Sequence, residues 1–92
     1  MVTRSVMVVN QLGMHARAAA KFVHLATRFE SRVRVAKQER EMDGKSIMGL
    51  LLLAAARGTT IRIRADGADE EAALQALAAL VESGFGEDVC SA

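Results

Sequence analysis

The chain has 92 residues, 51% of them apolar and 25% charged, with twelve Lys and Arg against eleven Asp and Glu. That length suits one domain spanning 1–92 and not two, and the composition excludes a disordered chain and a strongly electrostatic nucleic-acid binder. Three Phe with neither Trp nor Tyr leave no aromatic platform for stacking nucleobases, and a core this small leaves little room for a deep cleft.

Ser5 to Val9 (SVMVV) is apolar and β-prone and predicts a strand buried on at least one face. Asn10, Gln11 and Gly13 break that pattern. From Ala16 the sequence ARAAAKFVHLATRF is rich in helix formers. Ala19, Phe22, Val23, Ala26 and Phe29 fall on one helical face, and Arg17, Lys21, His24 and Arg28 on the other. Arg32 to Ala36 alternates with period two, as a half-buried strand does. The charged stretch from Lys37 to Asp43 reads as a hairpin turn and a short third strand.

Gly44 then supplies a turn, and Ser46 is a good N-cap for a helix over Ile47–Ala55, which Arg57-Gly58 should end with Gly58 at C′. Thr60 to Ala65 alternates again, Ile61 and Ile63 facing in, Arg62 and Arg64 out. After Asp66-Gly67, the acidic Asp69, Glu70 and Glu71 suit the positive start of a third helix. Leu74, Leu77 and Val81 form its buried stripe, Gly84 stops it, and the tail from Glu87 should fray. The order strand, helix, strand, strand, helix, strand, helix predicts an α+β fold. Its four-stranded, mainly antiparallel sheet should carry all three helices on one face, though the order does not fix which strands are neighbours.

The lone Cys90 has no disulfide partner and no ligand spacing around it, so a reducing compartment and no metal are expected. The apolar run from Ile47 to Ala56 is too short to span a bilayer, and no cleavable leader precedes the first strand. A cytoplasmic protein with no membrane or nucleic-acid partner is the expectation.

In Gly13-Met14-His15-Ala16-Arg17 the glycine permits a tight turn and a helix starts directly after the histidine. His15 therefore stands where amides lacking an intrahelical acceptor and the positive end of the dipole can hold an anion. Arg17 is within reach to fork onto phosphate oxygens. A histidine that only caps the helix would satisfy the spacing as well. Ser46 is fully explained as an N-cap, and Lys45-Ser46 is no P-loop, since Glu39 stands where that motif needs glycine. Ile47, Met48 and Leu51 are more apolar than a solvated face requires. With the cations of the first helix around them, they suggest a docking surface for a partner with an acidic rim. A solvated basic face beside a partly buried helix is the plainer account.

Gly13 to Arg17 resembles the active-site motif of HPr, the histidine-containing phosphocarrier family of the bacterial phosphotransferase system. Gly44-Lys45-Ser46-Ile47-Met48-Gly49-Leu50 resembles that family's second signature, around its regulatory serine. Both stand at the family's separation, and the element order is similar to its open-faced β-sandwich. The ending Glu82 to Asp88 resembles, more weakly, the nitrogen-related NPr branch. The sequence departs at Ala18, where the family usually has proline; this removes rigidity but no chemical group.

The resemblance implies that His15 accepts a phosphoryl group, through Nδ1, from phosphorylated enzyme I and passes it to a IIA-type protein. It also implies that Arg17 steadies that group with the amides of Ala16 and Arg17, and that a serine kinase/phosphorylase acts on Ser46. Ala20, Lys21, His24, Ile47, Met48 and Leu51 would dock the partners. No cofactor is implied, and a monomer is expected. A regulatory docking module switched at Ser46 is the rival, and it would have no need of His15. Both helices that open these motifs are expected to start at the same edge of the sheet, placing Ser46 near His15.

Overall fold

The computed structural model describes residues 1–86, so the tail from Glu87, including Cys90, lies outside the described residues. The elements are β1 (Val2–Met7), α1 (Ala16–Ala26), β2 (Arg32–Lys37), β3 (Arg40–Asp43), α2 (Ile47–Leu53), β4 (Thr60–Asp66) and α3 (Glu70–Glu82), in the expected order. The sheet runs β1-β4-β2-β3, and each neighbouring pair is antiparallel. It is thus wholly antiparallel.

Alternation along the strands explains why only one face is covered. Val33 and Val35 of β2 and Ile61, Ile63 and Ala65 of β4 are fully buried. The residues between them, among them Arg34, Arg62 and Arg64, carry the open face, where Glu41 bridges Arg34 and Arg64. On the covered face α3 lies over β1 and β4 and α2 over β2 and β3, while α1 packs between α2 and α3. Phe22, Phe85, Leu50, Leu53 and Leu77 are buried there with the strand residues. Each such side chain contributes about 1.5–3 kcal/mol through burial. Leu74 is only half-buried, and Ala73 and Ala78 complete the α3 stripe with Leu77 and Val81.

Three elements differ from expectation. The first helix stops at Ala26, short of Phe29, with Thr27 as its C-cap residue. The first strand begins at Val2 and ends at Met7 because its ladder with β4 runs from Val2↔Ala65 to Met7↔Thr60. As an edge strand with Val6 its one fully covered position, it lacks the apolar signal at its start. Val8 is buried but bonds to the turn before β4, donating to Thr59 and accepting from Gly58. The second helix stops at Leu53, not Ala55, because Ala54 adopts the left-handed conformation (φ 55, ψ 46) and its N–H returns to the Leu51 carbonyl. The chain leaves the helix so that the Ala55 carbonyl can accept from Met14. Gly58 therefore belongs to the next turn and is not the C′ residue.

Strand direction also decides where the helices start. Both β1 and β2 are antiparallel to β4, so they run parallel to each other, and β3 runs with β4. The end of β1 and the end of β3 thus lie at opposite edges of the sheet, and α1 and α2 start from opposite edges. The contacts agree. Lys45 Nζ, beside the start of α2, donates to the Phe29 carbonyl beyond the end of α1 (2.8 Å), while the start of α1 meets the end of α2. The expected shared edge is corrected.

Candidate functional site

At the edge where α1 begins, the chain turns sharply between Asn10 and Gly13. Gly13 N–H donates to the Asn10 carbonyl (3.1 Å), and the fully buried Asn10 side chain returns from Nδ2 to the Gly13 carbonyl (2.7 Å). Gly13 adopts φ +67, and a Cβ there would sit 2.6 Å from the Ala55 carbonyl oxygen. Glycine is required twice over, by conformation and by space. Met14 anchors the turn, its side chain buried and its N–H on the Ala55 carbonyl at 2.8 Å.

His15 follows as the N-cap residue of α1, extended (φ −79, ψ −179), half-buried, with no capping bond from its side chain. Its own N–H donates to the Gly13 carbonyl (2.9 Å), and its carbonyl accepts from Ala19 (2.8 Å). The amides of Ala16 and Arg17 come next, in the turn where helical geometry supplies no acceptor. Ala18 behind them is fully buried, while Arg17 is exposed. An imidazole, two first-turn amides and the residue that carries a guanidinium thus follow one another along the backbone at one helix start, the Arg17 side chain lining the groove described below. Such a helix start holds anions.

The remaining docking candidates divide between two surfaces. A shallow groove of about 450 Å³ runs between α1 and α3, lined by Arg17, Ala20, Lys21, His24, Leu25, Arg28 and, across from them, Leu80. It joins the basic side of α1 to an apolar floor. Lys21 is committed there, its ammonium donating to the Phe85 carbonyl at 2.8 Å. Ile47, Met48 and Leu51 lie outside this groove, on α2, with 41%, 66% and 37% of their surfaces exposed. Leu52, at 56%, extends that apolar face. Ser46 caps α2, its Oγ accepting from Gly49 N–H at 3.0 Å. It stands at the edge opposite His15.

Asn10 is the site residue that sequence reasoning missed, since an amide between a strand and a helix reads simply as a turn. Asp69 is the other surprise. It precedes α3 without capping it, and its carboxylate instead accepts from the N–H groups of Glu30 and Ser31 and from the Ser31 hydroxyl.

With the geometry in place, comparison with known proteins is specific. The family described as "PTS HPr component phosphorylation site" matches residues 2–83. The chain belongs to the HPr family, the phosphocarriers of the phosphotransferase system. Phosphocarrier protein HPr of Neisseria meningitidis is 49% identical over 87 residues, covering 95% of this chain and 98% of that protein. Phosphocarrier protein NPr of Shewanella violacea is 40% identical over 84 residues, covering 91% and 92%. Among solved structures, HPr-C-His from Thermoanaerobacter tengcongensis superposes with a TM-score of 0.92 at 41% identity, over 96% of this chain and 99% of that one. The α+β fold of this HPr-family chain is accordingly that of HPr structures.

Proposed function

We propose that the chain carries a phosphoryl group on His15, taking it from phosphorylated enzyme I and giving it to a IIA-type protein. The observation that supports this most directly is the placement of His15 as the half-buried N-cap residue of α1, with the Ala16 and Arg17 amides beside it. In the transfer a neutral imidazole nitrogen attacks phosphorus while the nitrogen–phosphorus bond of the donor histidine breaks. The charge borne by the phosphoryl oxygens is met by the two amides, the dipole and Arg17. One domain of this size supplies half a site, and the partner completes it.

The docking surface in this reading is the basic α1 groove together with the apolar face of α2, facing a partner with acidic and apolar contacts. Ser46 is a candidate regulatory phosphorylation site, where a phosphate would add about −1.5 to −2 charges. The chain is taken to work in the cytoplasm as a monomer, as a single domain over 1–92. Docking without transfer would leave the histidine turn without a purpose.

Incubation with enzyme I and radiolabelled phosphoenolpyruvate tests the reading. Wild type should acquire an acid-labile label, His15→Ala none, and His24→Ala nearly the full amount. Equal labelling of His15→Ala and wild type would overturn it. Arg17→Ala should slow transfer while the melting temperature stays within a degree or two, because the side chain is exposed.

A further inference from the structure

Of the two fully buried polar residues among those described, Ser31 and Asn10, only Asn10 adjoins the histidine turn. We infer that Asn10 is a positioning residue for phosphoryl transfer at His15, acting by fixing the Gly13–Met14 peptide unit on which the histidine backbone hangs. The inference rests on His15 being the acceptor. That peptide is held at both ends: its carbonyl accepts from Asn10 Nδ2 at 2.7 Å, and its N–H donates to Ala55 at 2.8 Å. The same Gly13 carbonyl takes the N–H of His15 at 2.9 Å, and Gly13 N–H closes the ring onto the Asn10 backbone at 3.1 Å. One buried amide therefore sets the plane that orients the first residue of the acceptor segment, and α1 fixes the other side of His15.

Packing alone does not call for asparagine here. Burying an amide is unfavourable unless its hydrogen bonds are made, and an apolar side chain of similar size would fill the same volume among the same neighbours. What the amide adds is a directed donor to one carbonyl. Without it the Gly13 carbonyl keeps the His15 N–H but loses the contact that sets its direction, at a glycine (φ +67) with wide conformational freedom. The histidine and the Ala16 and Arg17 amides would then sample a broader set of mutual positions. Transfer is sensitive to this, since a displacement of about 1 Å at a reacting group can cost 10²-fold in rate.

The experiment compares Asn10→Leu, which keeps an apolar volume and removes the donor, with Asn10→Ser, which keeps a shorter donor. Ser31→Ala, at the opposite edge of the sheet, serves as the control for loss of a buried polar group. Steady-state transfer from enzyme I is measured well below each melting temperature, together with the hydrolysis rate of the isolated phosphohistidine form. Asn10→Leu should lower kcat about tenfold or more with KM within twofold, and should alter the phosphohistidine hydrolysis rate. Asn10→Ser should fall between it and wild type, and Ser31→Ala should match wild type in both measurements. A wild-type kcat for Asn10→Leu, with label still on His15, overturns the inference and leaves the acceptor reading intact. Label retained in His15→Ala overturns the acceptor reading instead. If Asn10→Leu does not fold, Asn10→Ser is decisive, and wild-type kcat and hydrolysis in it overturn the inference.

Discussion

Asp69 shows how one side chain can tie together segments that sequence spacing keeps apart. Its carboxylate is held below its ordinary pKa, first by the Ser31 hydroxyl and then by the Glu30 amide, with the Ser31 amide adding to them. A depressed folded-state pKa means the stabilisation is present above the unfolded carboxylate value, near 3.9, and is lost as pH falls through the folded one. Asp69→Ala should therefore destabilise the chain at pH 7, and the gap to wild type in urea unfolding should narrow below about pH 4. An equal gap at pH 7 and pH 2 would show that the bonds do not depend on ionisation. At this scale the legibility of the sequence was uneven for a physical reason. His15, Ala16 and Arg17 are covalent neighbours at a helix start, so local rules reach them. The partners of Asp69 lie 38 and 39 residues away, and the bond from Asn10 to Gly13 forms only because the turn is buried.

Elements were readable where one face is covered and the period is regular, as in β2, β4 and α3. They were misjudged where an end is set from elsewhere. The end of α2 is dictated by the Ala55–Met14 bond, and Ala54 accepts a left-handed backbone that glycine would adopt without steric cost. Ala54→Gly should raise stability by about 0.5–1 kcal/mol, the left-handed penalty on alanine exceeding the entropy glycine adds to the unfolded chain. A fall in stability would mean that this helix end is not strained. Strand direction, which no local pattern encodes, put Ser46 at the far edge from His15, and this changes what a charge there can do. Ser46→Ala should cost about 1 kcal/mol through the lost cap, with transfer unchanged. Ser46→Asp retains an acceptor at the cap and adds a charge beside Ile47 and Met48. It should raise KM for enzyme I about tenfold, equivalent to roughly 1.4 kcal/mol, and leave kcat intact. High salt should shrink that difference. A changed kcat with constant KM would mean that Ser46 acts on the phosphoryl site and not on docking.

For the whole molecule, the antiparallel sheet gathers the start of α1, the end of α2 and the exit of α3 at one edge. The histidine turn therefore rests on contacts from across the chain. The same closure bears on assembly. β1 is an edge strand seated on β4 of its own chain through six residue pairs, and Val8 continues the attachment with two further hydrogen bonds to Gly58 and Thr59. Exchanging β1 with a second copy would break all of these, and then the Asn10–Gly13 ring, before any could re-form between chains. The opposite edge, β3, is only four residues long and carries Arg40, Glu41 and Asp43, a short charged strand of the kind that resists edge pairing. Sedimentation velocity from about 10 to 500 μM should give one monomeric species, and the melting temperature should not change with concentration, as it would if association stabilised the fold. A boundary moving to twice the mass, with melting that rises with concentration, would establish a dimer. Transfer rates per chain that fall in parallel would then place the histidine turn within the exchanged region.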